Sequence, residues 1–213
     1  MDHVDRYTFH VIFRILFLIM AIYLPPIILA SQSPRRRQLL EWAEVEFTVE
    51  VVPTDETYPP DLPVEEVPVF IAREKARRVN ELRNPHHLTL LAADTIVVLE
   101  NRIIGKPTDA EDAASILSEL SGKTHRVITG VVIQHPQVEV AFAEITEVTF
   151  HTLTAGQIKH YVERYQPFDK AGAYAIQEWI GVVGIQSIKG DFYNVMGLPV
   201  SRVVQELHKL SLY

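Results

Sequence analysis

The chain contains no cysteine, which excludes a disulfide framework, a thiol nucleophile and the common thiolate zinc sites. Nor has it an excess of positive charge, since 20 Lys and Arg stand against 27 Asp and Glu for a formal net charge of −7. Affinity for nucleic acid irrespective of sequence comes mainly from cations that neutralise phosphates, so a general nucleic-acid binder is excluded, while a local basic pocket is not. Internal repeats and low-complexity tracts are absent as well. So is a good membrane span: FHVIFRILFLIMAIYL at residues 9–24 is shorter than the ~20 residues a spanning helix needs and carries His10 and Arg14. Pro25 and Pro26 follow it with no small-x-small cleavage site, which argues against a signal peptide. With Met20 just ahead of the first core strand, residues 1–26 are expected to be an N-terminal apolar extension, and residues 1–19 to be translated from upstream of the functional start. The folded domain is expected at residues 27–213, where an ordinary apolar fraction can bury a substantial core.

What is present is organised around IILASQSPRRRQLL at residues 27–40. A short apolar run gives way to hydroxyl residues and resumes as an amphipathic segment, the pattern of strand, turn and helix start. Ser33 suits the N-cap and Pro34 the first helical position, with Leu39, Leu40 and Ala43 inward. The turn offers free backbone N–H groups beside Ser31, Ser33, Arg35 and Arg36, the donors and charge that a polyphosphate needs. A capped helix with solvated arginines is the plain alternative.

Further along, residues 47–51 read as a strand, and residues 53–68, rich in proline and acid, as a surface loop containing Glu56. A helix follows with Val69, Ala72, Ala76, Val79 and Leu82 on one stripe and Lys75 beside it, ending at Asn84 and Pro85. In the apolar strand at residues 88–99, Asp94 is costly to bury alone and must lie at an exposed end or be held by a cation or metal. Asn101 and Arg102 suggest a turn, and Gly105, Lys106 and Pro107 deliver a lysine from a rigid bend. Thr108 and Glu111 suggest a capping box for a helix with Ala113, Ile116, Leu117 and Leu120 inward. Alternation over THRVITGVVIQ and VEVAFAEITEVTF marks a long hairpin, and Thr154 with Gln157 a second capping box. DKAGAYAIQ combines small residues with Asp169, Lys170 and Gln177, polar groups that a ligand could use. A hairpin turning at Gly190 and Asp191 and a C-terminal helix complete the reading. His86, His87, His135 and His151 lack metal-ligand spacing and read as structural or surface residues.

Taken together, LASQSPRRRQLL, AREKA, AADTIV, GKP, SGKTHRVITGV, DKAGAYAIQ and NVMGLPV resemble the Maf family of nucleoside triphosphate pyrophosphatases, in the family's order and from about residue 27 to the C-terminus. The resemblance implies an α/β fold with a long mixed, curved sheet flanked by helices and a substrate cleft between two lobes. It also implies hydrolysis between the α and β phosphates of a nucleotide, aided by a divalent cation (Mg²⁺, Mn²⁺ or Co²⁺). By motif, Asp94 resembles the proton acceptor for water. Ser33, Arg36, Lys75 and Lys106 resemble phosphate contacts, and Glu56, with Asp94, a carboxylate at the metal. Residues matching Arg35, Thr95 and Gln177 mark the subgroup that prefers dTTP and UTP. A cytoplasmic enzyme that acts on free nucleotides is therefore expected, with no nucleic-acid or membrane partner and with a homodimer left open. The alternative from another class is a non-catalytic nucleotide-binding regulator of septum formation.

Overall fold

The computed structural model describes residues 24–83, 88–135 and 138–210. The expected N-terminal extension up to residue 23, the helix end at Asn84 and Pro85, and the pair His86 and His87 lie outside the described residues. The frame is a seven-stranded mixed sheet in the order β2-β1-β3-β5-β6-β7, with β4 on β3. Its strands are β1 (Ile27–Leu29), β2 (Phe47–Val49), β3 (Thr89–Leu99), β4 (Arg102–Ile104), β5 (Thr124–His135), β6 (Val138–Phe150) and β7 (Ile185–Lys189). β1 runs parallel to both β2 and β3, and the remaining pairs are antiparallel. The helices are α1 (Pro34–Trp42), α2 (Val67–Arg83), α3 (Ala110–Leu120), α4 (Ala155–Tyr165), the short α5 (Trp179–Gly184) and α6 (Phe192–Met196), and α7 (Val200–Leu210). Among the described residues no helix is long and apolar enough to cross a membrane.

Alternation along β3 splits the core. Leu91, Ala93, Val97 and Leu99 pack with residues of α1, α3, α4 and α7, while Leu90 and Ala92 pack beneath α2 against Ala72, Ala76 and Val79. Those alanines let α2 lie close to the sheet, and Gly130 lets it lie closer still. A Cβ on Gly130 would fall 2.2 Å from the backbone of Pro68 and Val69, so the first turn of α2 rests on bare strand. Gly130 pairs with Asp94 across β3 and β5. The close approach that it permits is therefore aligned with the one acid of β3.

Several expectations need correction. Leu82 is 62% exposed, because α2 outruns the sheet that buries its earlier turns. The turn after β3 consists of Glu100 and Asn101, both at positive φ, and Arg102 already belongs to β4. α3 is capped one residue later than expected, by Asp109, whose carboxylate accepts from the Asp112 N–H, while Asp112 accepts from Thr108. Gly190 and Asp191 do not join two strands: β7 precedes them, and Asp191 caps α6. The capping box at Thr154 and Gln157 and the β5–β6 hairpin are as the pattern indicates.

Candidate active site

β3 is longer than either neighbour on one side. β1 pairs only with Thr89 to Leu91 and β4 only with Val97 to Leu99, so residues 92–96 face a notch that no strand fills. Asp94 and Thr95 sit in that notch on opposite faces of the strand. A cavity of about 550 Å³ opens on it, lined by the turn before α1, the 53–56 loop, α2, the Lys106 bend, the 169–177 loop and the residues around Gly197.

On the α2 face, the Lys75 ammonium sits between two carboxylates, 2.6 Å from Asp94 Oδ1 and 2.8 Å from Glu56 Oε1. Asp94 is buried inside its strand, and Lys75 is the cation that the strand's composition demanded. Partial burial works to raise the pKa of Glu56, yet the hydrogen bond and charge of Lys75, with Lys106 and Arg36 beyond, hold it below the usual carboxylate range. Lys106 lies on the cavity wall and is exposed. Its bend is tied to the far wall by a hydrogen bond from Gly172 N–H to the Gly105 carbonyl, 3.0 Å long.

The turn before α1 forms as its residue types require. Ser33 caps the helix, its hydroxyl accepting from the Arg36 N–H, and Pro34 fills the first position. Arg36 departs from the solvated alternative, since its guanidinium is buried. Nε donates to the Gly197 carbonyl (2.8 Å), Nη1 to the Ala93 carbonyl (2.8 Å) and the Ser31 hydroxyl (3.0 Å), and Nη2 to the Thr95 hydroxyl (3.0 Å). Burial lowers its pKa, and the charges of Asp94 and Glu56 oppose that shift. Arg36 thus closes the notch by satisfying the free carbonyl of β3, and four of its N–H groups are spent on the protein. Thr95 is drawn into the same network, 2.9 Å from the Thr129 hydroxyl, which donates to the Asn194 carbonyl. Thr129, Asn194 and Gly197 escape sequence reasoning, and only Gly130 carries a signal that could have drawn notice: an isolated glycine in a strand pattern marks close backbone approach.

Arg35 points along the cavity rim, where Nη1 donates to Asp169 Oδ2 at 3.1 Å. Asp169 Oδ1 accepts from the buried Lys170 ammonium at 2.7 Å. Behind it stands Glu178, 3.5 Å from Lys170 and hydrogen-bonded by the Tyr161 hydroxyl. Gln177 is exposed on the same wall. The cavity therefore brings together all the residues singled out from the sequence: Ser33, Arg35, Arg36, Glu56, Lys75, Asp94, Thr95, Lys106 and Gln177.

Lys75 gathers the carboxylates of Glu56 and Asp94 on one wall of the cavity, and each keeps a second oxygen of the kind that a hard divalent cation takes. Among the described residues no third His, Asp or Glu joins them, so water or phosphate oxygens would complete the shell, as is usual for Mg²⁺ beside a nucleotide.

A capped helix start, two lysines and a carboxylate share one cleft of a mixed sheet, the groups that a nucleotide hydrolase needs, and the profile of the Maf-like protein family matches residues 26–210. The chain belongs to that family. It is 50% identical over 184 residues to a dTTP/UTP pyrophosphatase of Cytophaga hutchinsonii, covering 86% of this chain and 84% of that one. Over 185 residues it is 48% identical to a dTTP/UTP pyrophosphatase of Bacteroides fragilis, covering 86% and 95%. A protein of the same description from Porphyromonas gingivalis is 48% identical over 183 residues, covering 85% and 92%.

Proposed function

We propose that the protein hydrolyses dTTP and UTP to the monophosphate and pyrophosphate. The observation that carries this reading is the Lys75 ammonium held between Asp94 and Glu56 in the same cavity as the α1 N-terminus and Lys106. In this reading Ser33, the backbone N–H groups beside it, Lys75 and Lys106 hold the phosphate chain and meet the charge that develops on it. Arg36 adds field from below while fixing the wall. Asp94 keeps one oxygen on Lys75 and uses the other to take the proton from water attacking the α phosphorus, and the bond to the β phosphate breaks. A divalent cation, Mg²⁺, Mn²⁺ or Co²⁺, would be held by Glu56 and Asp94 and would neutralise charge on the phosphates. Arg35 and Gln177 are the donors for the pyrimidine carbonyl oxygens, and Thr95 acts on specificity through Arg36. A sensor of septum formation has no need of a proton acceptor in a phosphate cleft, which is why hydrolysis is preferred.

The test is a pyrophosphate-release assay over natural nucleotides with each cation. dTTP and UTP should be used ahead of CTP and the purine triphosphates. Asp94→Asn can still accept from Lys75 but cannot take a proton, so it should keep its fold and lose about 10²–10⁴-fold in turnover. An active Asp94→Asn protein, or release from none of the nucleotides, would refute the reading. Sedimentation and cell fractionation address the homodimer and the cytoplasmic location.

A further inference from the structure

The charges of the cavity sort into two groups. Glu56 responds to Lys75, Lys106 and Arg36, whereas Asp169 responds to Lys170 and Arg35. The first group accounts for phosphates and water. The second has no such task and has a definite pattern: a donor on Arg35, an acceptor on Asp169 and a donor on Lys170, linked at 3.1 and 2.7 Å. The row is braced from behind, because Lys170 lies 3.5 Å from Glu178, Glu178 accepts from the Tyr161 hydroxyl, and that hydroxyl accepts from the Ala175 N–H at 3.1 Å.

We propose that Asp169 is a specificity residue that reads the N3–H of uracil and thymine. Their Watson–Crick edge runs acceptor, donor, acceptor (O4, N3–H, O2), the complement of donor, acceptor, donor along Arg35, Asp169 and Lys170. Cytosine runs donor, acceptor, acceptor, and sets a lone pair at N3 against the carboxylate. The Asp169 carboxylate has lone pairs to spare after one bond to each neighbour, and its side chain is 59% exposed on the cavity wall. The flanking cations, against the opposing pull of partial burial, keep it in the acceptor-only ionised form. The proposal rests on the pyrimidine triphosphate reading above and adds to it an acceptor for the central position, the second carbonyl oxygen accepting from both the Lys170 ammonium and the Gln177 amide.

Pyrophosphate release should be compared for UTP, CTP and N3-methyl-UTP, which keeps both carbonyl oxygens but has no N3–H. The wild type should use UTP about tenfold to a hundredfold better than either analogue. In Asp169→Asn, whose amide can offer a donor or an acceptor, both ratios should shrink severalfold, the CTP ratio to the part that Arg35 still exerts at the C4 position. The position is exposed, and an unchanged melting temperature verifies that the variant folds. Wild-type use of N3-methyl-UTP equal to that of UTP overturns the proposal alone. So does an Asp169→Asn protein that loses activity on all three while keeping both ratios, the signature of an aspartate that merely orients Arg35. No release from UTP by the wild type overturns the pyrophosphatase reading and this one with it.

Discussion

Arg36→Met separates a phosphate ligand from a structural keystone. Methionine keeps the length of the stem and removes the guanidinium, so four hydrogen bonds are lost at once. The two hydroxyls are not stranded: Thr95 retains Thr129, and Ser31 still accepts from the Ser33 N–H at 3.2 Å. The Ala93 carbonyl loses its donor and the Gly197 carbonyl is left with only the long 3.4 Å contact to the Thr95 hydroxyl, and at about 1–3 kcal/mol for each buried acceptor so weakened the loss is ~2–6 kcal/mol together. For a chain of this size about 2–4 °C is lost per kcal/mol, so the melting temperature should fall by about 4–24 °C. Circular dichroism melts measure that fall, and pyrophosphate release well below both transitions measures what the folded remainder can do. Arg36→Lys, able to recover only part of the set, should fall between. A melting temperature within ~2 °C of the wild type, joined to lost turnover on every nucleotide, would refute the reasoning and return Arg36 to the phosphates.

Two other perturbations follow from the core. Burial pushes the His125 imidazole, held against Tyr174 at 2.7 Å and stacked on Phe150, down to about 4 from 6.5. Its folded pKa is depressed, so the stability it contributes is complete above 6.5 and is lost as the pH falls towards 4, by about 1.4 kcal/mol per unit. Urea melts from pH 7 to pH 5 should therefore show His125→Gln losing less stability than the wild type on acidification, and parallel curves would contradict this. Gly130→Ala puts a methyl into backbone 2.2 Å away, lifting α2 and with it Lys75. Stability should fall by about 1–3 kcal/mol and turnover should drop even at temperatures where the variant is folded, whereas unchanged kinetics would show that Lys75 does not depend on that contact.

Much of the site was legible because its chemistry is local or obligatory. Ser33 and Pro34 announce a helix start by residue type, and an aspartate within LLAADTIVVL demands a cation, which Lys75 supplies from the polar edge of an otherwise apolar stripe. The β5–β6 hairpin was legible from alternation sustained across both strands. What could not be read depends on the rest of the fold. Nothing within PRRRQLL marks Arg36 as the buried arginine of three, because its acceptors lie at residues 93 and 197. β4 is three residues long and shows no period, and the α3 cap moved by one position because Asp109 competes with Thr108 for the same role. Gly190 has positive φ as a turn should, but the chain that follows is recruited into a helix by Asp191.

The pairing of Asp94 with Gly130 bears on how the chain folds as well as on what it does. β3 is apolar along most of its length and β5 through its centre, and a slip of two residues between them would keep every side chain on its own face. Such a slip would displace Asp94 by about 7 Å from the point where α2 docks on Gly130. Lys75 would then miss its partner, and the carboxylate would be left in the core without a counter-charge, a far larger penalty than a misplaced valine. The residue assigned to catalysis thereby also discriminates against the misaligned sheet, and Asp94→Val, though inactive, should remove that discrimination during refolding.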